Sequence, residues 1–102
     1  AVVQYKKYLT YEPKFSEAYQ NLGLIYKAKE QYSEAIINFT KFLDFQYTNS
    51  EILYERALCY LYTQDIGNCC TDWQRVKNLN PIIQDGSLDF FCKQDSINAK
   101  QS

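Results

Sequence analysis

Apolar and polar positions recur along this chain with the period of a helix rather than that of a strand. Leu22, Ile25, Tyr26 and Lys29 fall one turn apart, and so do Ala35, Phe39, Phe42 and Leu43, so each run carries one apolar face. Ser16 stands before Glu17, and Ser33 before Glu34 and Ala35; a capping hydroxyl followed by an acid in the first turn marks both as helix N-termini. Residues 29–32 form a polar bridge short enough to make the two helices antiparallel neighbours. Pro13 and Pro81 each follow a run and stop it, because proline lacks the amide donor and restricts the residue before it. Tyr47 takes the corresponding place in the middle of the chain, where Thr48 and Asn49 must make the turn without proline.

The pattern repeats. A shift of 34 positions lays Tyr5 on Phe39 and Trp73, Ala1 on Ala35 and Cys69, and Pro13 on Tyr47 and Pro81. The same shift lays Tyr19 on Leu53, Gly23 on Ala57 and Tyr26 on Tyr60. Small Gly23 and Ala35 let two helices approach closely while Phe39 fills the space beside them. A hairpin built this way has a second apolar face that only the next hairpin can cover, so the units must stack. The aromatic stripe Tyr26, Phe39, Tyr60 and Trp73 is accordingly read as core and not as ligand contacts.

Tyr19, Leu22, Gly23, Tyr26, Ala35 and Phe39 stand at the spacings W-x2-L-G-x2-Y…A-x3-F, with Tyr in place of Trp, and on these residues the chain resembles the tetratricopeptide-repeat family. The following unit reads Leu53, Arg56, Ala57, Tyr60, Cys69, Trp73 and Pro81; it is in register but departs from the pattern at Leu53 and Arg56. The resemblance covers about four fifths of the chain and implies an all-α fold, an α-solenoid of antiparallel helical hairpins wound as a right-handed superhelix. It implies one domain over 1–102, with the second helix of a partial repeat at 1–13, full repeats at 16–49 and 50–83, and a capping helix and tail at 84–102.

Composition narrows the chemistry. With no His, the commonest general base and metal ligand at neutral pH is missing. No nucleophile with its base, no phosphate-cradling glycine loop and no Cys pair at zinc spacing is visible, so the expectation is a non-enzymatic protein with no cofactor and no metal. Asp65, Asp72, Asp85 and Asp89 read as caps or solvated faces. A formal net charge of -1 offers no field for nucleic acid, and no apolar run is long enough to span a bilayer. The absence of Met predicts a chain processed or cut from a longer protein.

The resemblance places the first helices of successive units on a concave face. Its groove residues would be Glu17, Gln20, Asn21, Leu24 and Lys27 from one unit, and Glu51, Tyr54, Glu55, Leu58, Leu61 and Tyr62 from the next. Some members of the family clamp a chaperone's C-terminal carboxylate there with paired cations and Asn; Asn21 matches one such Asn, but Glu51 and Glu55 occupy the cation positions and would repel a carboxylate. The implied function is a protein–protein interaction scaffold holding a basic or mixed apolar segment, with Glu51 and Glu55 either orienting its cations or forming a solvated helix face. The alternative is a self-associating structural segment, because Val2, Val3, Tyr5 and Leu9 belong to a helix whose partner is missing and would leave an open N-terminal end for a second copy.

Cys59 and Cys69 read as small buried hydrophobes. The pairing of Cys70, just ahead of Asp72 and Trp73, with Cys92 on the cap resembles the terminal units of many bacterial arrays. The two either form a disulfide in an oxidising compartment or stay reduced as packing contacts, the reduced state and the cytoplasm being favoured and a periplasmic or secreted location following if they are bridged.

Overall fold

A computed structural model describes the backbone of residues 16–101 and the side chains of residues 16–93. The described chain is five helices with no strand among the described residues: α1 (Ser16–Ala28), α2 (Tyr32–Phe45), α3 (Ser50–Tyr62), α4 (Ile66–Leu79) and α5 (Gly86–Gln101). Ser16 and Ser50 open α1 and α3, and Tyr32 and Ile66 open α2 and α4, each pair 34 residues apart. α1 packs on α2 and α3 on α4; α2 against α3 joins the two hairpins, and α5 covers α4. The expected helix over 1–13, with Pro13 and the open apolar end at Val2, Val3, Tyr5 and Leu9, lies outside the described residues.

The hairpin turns explain the antiparallel geometry. Glu30 and Gln64, again 34 residues apart, both adopt left-handed backbone, φ 61° and 64°. After each, the chain folds back so that the amide of Gln31 reaches the Tyr26 carbonyl at 2.9 Å and that of Asp65 reaches the Tyr60 carbonyl at 2.8 Å. This closes the helix ends with the six-to-one bond of a Schellman motif although neither turn contains glycine. The predicted N-terminus at Ser33 is shifted: α2 begins at Tyr32 with Gln31 before it and no side-chain cap, which leaves Ser33 inside the first turn. Ser16 opens α1 and is buried, its hydroxyl accepting from Gln46 Nε2 at 3.4 Å.

Where proline is replaced by Tyr47, two side chains do its work. Asn49 Oδ1 accepts from the Ile52 amide at 3.1 Å and starts α3, and Arg75 Nη2 donates to the Tyr47 carbonyl at 2.9 Å. α4 ends at Leu79, ahead of Pro81.

The core runs through both hairpins and under the cap: Ala35, Phe39, Phe42, Ile52, Leu53, Ala57, Trp73, Val76 and Leu88 are essentially inaccessible. Of the expected aromatic stripe, Phe39 and Trp73 are fully buried, while Tyr26 and Tyr60 pack half-buried against the cluster. Gly23 is where α1 and α2 come closest: a Cβ there would stand 2.5 Å from Phe39 Cδ1.

Arg56, the departure from the repeat pattern, has a structural reason. It sits where Leu22 stands one repeat earlier, and its guanidinium forks onto Asp72, Nε to Oδ2 at 2.7 Å and Nη2 to Oδ1 at 2.8 Å, while Nη1 donates to Thr40 Oγ1 at 3.1 Å. One side chain on α3 thereby ties α2 to α4. Burial opposes its charge, and the hydrogen bonds and charge of Asp72 more than offset this, so the guanidinium is held protonated more firmly than usual.

Candidate ligand-binding groove

α1 and α3, the two first helices, are linked by the Lys27–Glu55 ion pair, and the turn over 80–85 reaches the same hollow. Together they enclose a concavity of about 270 Å³ lined by Gln20, Leu24, Ser50, Glu51, Ile52, Tyr54, Glu55, Asn80 and Ile83. Gln20, Leu24, Glu51, Tyr54 and Glu55, all read from the sequence as groove residues, are thus brought together. Lys27 reaches the rim by its ion pair, while Glu17, Asn21, Leu58 and Tyr62 do not line the concavity. Glu17 and Asn21 are exposed on α1, Leu58 packs against the core, and the exposed Tyr62 ring rests on Tyr32, centroids 4.8 Å apart. A larger hollow of about 420 Å³ at Phe45, Gln46, Tyr47, Thr48 and Asn49 is lined by a single turn and joins no two units.

The electrostatics differ between the two acids on α3. Lys27 Nζ stands 3.1 Å from Glu55 Oε2, an ion pair linking α1 to α3 with both side chains about four-fifths buried. Glu55 is therefore neutralised by a cation of its own, whereas Glu51, one turn earlier, is exposed and has no ion-pair partner among the described residues. The Tyr54 hydroxyl donates to Asp85 Oδ2 at 2.6 Å, which with burial pushes its pKa up to about 12. That bond holds the ring, which lies 5.9 Å from Trp73 between centroids, where Tyr54 lines the groove.

Asn80 and Ile83, which line the concavity, and Asp85, which holds Tyr54, were not picked out as groove residues by sequence reasoning. They belong to a turn between α4 and α5 with no periodicity to read, and only Pro81 announces that the chain changes direction there.

Cys69 and Cys70 lie on α4, Cys59 on α3 and Cys92 on α5. The sulfurs of Cys70 and Cys92 are at bonding distance, with Cα atoms 5.3 Å apart, so of the two states weighed for them the geometry is that of a bridge. Cys69 Sγ lies within 4.8 Å of both. Burial pushes the Cys59 and Cys69 thiols up to about 11. Beside the bridge, Trp73 Nε1 donates to Asp89 Oδ1 at 2.8 Å and Lys77 Nζ to the same oxygen at 3.2 Å.

These two bonds, the Trp73 one foremost, hold the Asp89 carboxyl below its usual range. A depressed carboxylate pKa means the contact is fully present above the unfolded value near 3.8 and is lost as pH falls through the lower folded value. Acid titration followed by Trp73 emission should therefore show no change from pH 7 to about pH 4 and a transition only below it; a transition centred above pH 4 would contradict the assignment.

Residues 4–37, about a third of the chain, match the family described as "Tetratricopeptide repeat". The match begins ahead of α1, takes in all of it and ends inside α2. No curated protein matches the chain. Among the described residues no helix is long and apolar enough to cross a membrane. Proteins built from this repeat generally mediate protein–protein contacts and are typically non-enzymatic scaffolds. With one matched repeat, a second hairpin at the same interval and an all-helical stack, the chain carries a tetratricopeptide repeat at residues 4–37 and its described residues take an all-α helical-repeat fold like that of this family.

Proposed function

We propose that the concavity between α1, α3 and the 80–85 turn holds an extended or helical peptide segment of a partner protein, one that offers a cation beside an apolar side chain. The observation that supports this most directly is the convergence of Leu24, Ile83 and the Tyr54 ring with the exposed Glu51 carboxylate in one hollow of about 270 Å³. Apolar walls supply area and a single free acid supplies orientation, the division of labour of a small recognition site. Glu55, already paired with Lys27, helps to shape the site and not to attract the ligand. A C-terminal carboxylate is the wrong partner, because the first charge it would meet is Glu51. A bridged Cys70 and Cys92 suits an oxidising compartment.

Selection from a random peptide display library tests the proposal. Peptides enriched on the protein should carry Lys or Arg next to an aliphatic or aromatic residue, and E51K should weaken their binding by roughly tenfold or more while the far-ultraviolet circular dichroism stays the same. Glu51 is the residue to reverse, because changing Glu55 would also strand Lys27. Absence of enrichment, or equal binding by E51K, would overturn the reading.

A further inference from the structure

Among its described side chains, residues 86–93, α5 is held by few apolar contacts. Of its described side chains Leu88 alone is fully buried, Cys92 is partly buried, and Phe90 and Phe91 stand largely in solvent. The other ties of these described residues include polar ones: Asp89 to Trp73 and Lys77, and Asp85, which caps α5 by accepting from the Leu88 amide at 3.0 Å. A helix of this length is marginal in water by itself and depends on docking. The turn that leads into it supplies Asn80 and Ile83 to the groove, and Asp85 at its end holds Tyr54. Whatever fixes α5 to α4 thus also fixes one wall of the groove.

We propose that the Cys70–Cys92 bridge is a redox latch on that wall: closed, it keeps α5 on α4 and the 80–85 turn against Tyr54; opened by a dithiol reductant, it releases both. The regulatory meaning rests on the groove reading above, whereas the latch itself does not. In the opening step a thiolate of the dithiol attacks one bridge sulfur and expels the other cysteine as thiolate, which takes up a proton. The second thiol of the reductant then resolves the mixed disulfide, so the bridge gains two electrons and two protons and the dithiol leaves as a disulfide. Cys69, the third sulfur within 4.8 Å, does not interfere: its thiol is fully buried and stays protonated at neutral pH. Closing the loop between residues 70 and 92 favours the docked state by on the order of a hundredfold in the chain-entropy view.

Trp73 is the only tryptophan and touches α5 through Asp89, so its emission reports docking. In the full chain, dithiothreitol should shift that emission to the red and raise its quenching by acrylamide. Amide exchange over 80–85 and α5 should accelerate at least tenfold while α1, α2 and α3 keep their protection. C92S should behave as the reduced protein with or without dithiothreitol, and C69S should respond like the parent. Unchanged emission and exchange on reduction would overturn the latch, and so would protection lost equally in every helix, which would make the bridge a global staple. Both readouts work without peptide, so failure of the groove to bind one leaves the latch decided separately. Peptide binding insensitive to dithiothreitol would sever the coupling between them.

Discussion

Asp72→Ala should lower stability by about 3 kcal/mol, the loss expected when one partner of a buried pair is removed and its counter-charge stays behind. The Arg56 and Asp72 side chains are only 14% and 4% exposed, so water cannot take over for the missing carboxylate. The guanidinium would retain its bond to Thr40, the face of Tyr60, whose ring centre is 5.7 Å away, and the charge of Asp44, to which no hydrogen bond is made. For a domain of this size that corresponds to a fall of roughly 12–20 °C in melting temperature. Replacing both partners, Arg56→Met with Asp72→Leu, should return to within about 1 kcal/mol of the parent, because an apolar pair needs no desolvation. Thermal melts of the three variants decide the matter; a drop below about 1 kcal/mol for Asp72→Ala would show that the pair is solvated and that the hairpins are joined by packing alone.

Two glycines should respond to alanine with opposite signs. In an open helix position Gly→Ala stabilises by about 0.5–1 kcal/mol through reduced backbone entropy. Gly67 is such a position, with nothing within 4 Å of an added Cβ. At Gly23 the new methyl would meet the Phe39 ring, which is fully buried and has no room to swing away, and overpacking of that kind costs about 1–3 kcal/mol. The net expectation is a loss of about 2 kcal/mol for Gly23→Ala. Phe39→Leu should make the two changes non-additive, with Gly23→Ala much milder in that background. Chemical denaturation gives all four values, and like signs at the two glycines would mean that the close approach of α1 and α2 is not enforced at Gly23.

Most of the architecture was readable from periodicity, because one interval controls where small, aromatic and turn residues fall. The spacing of Gly23, Ala35 and Phe39 by itself specifies a tight hairpin. The helix boundaries were less legible: Ser33 resembles a cap, yet the Schellman turn at Glu30 already satisfies the end of α1 and leads straight into Tyr32. Arg56 was visible as a departure, a charge in a position that Leu22 fills elsewhere. Its partner was not, since a pairing between helices sixteen residues apart leaves no local trace. The groove was half legible for a similar reason: Gln20, Leu24, Glu51, Tyr54 and Glu55 share helix faces whose orientation follows from the repeat, whereas Asn80 and Ile83 reach it from an irregular turn. Nor could the sequence separate Glu51 from Glu55, because only the proximity of Lys27 distinguishes a free acid from a paired one.

The left-handed residues at Glu30 and Gln64 bear on how the molecule assembles. Each hairpin's reversal is closed by a handful of consecutive residues and by backbone bonds no more than five positions long. Bent pairs of helices can therefore take form separately and early, and assembly is left with the simpler task of bringing ready-made corners face to face, a route that keeps contact order low and favours rapid folding from either end.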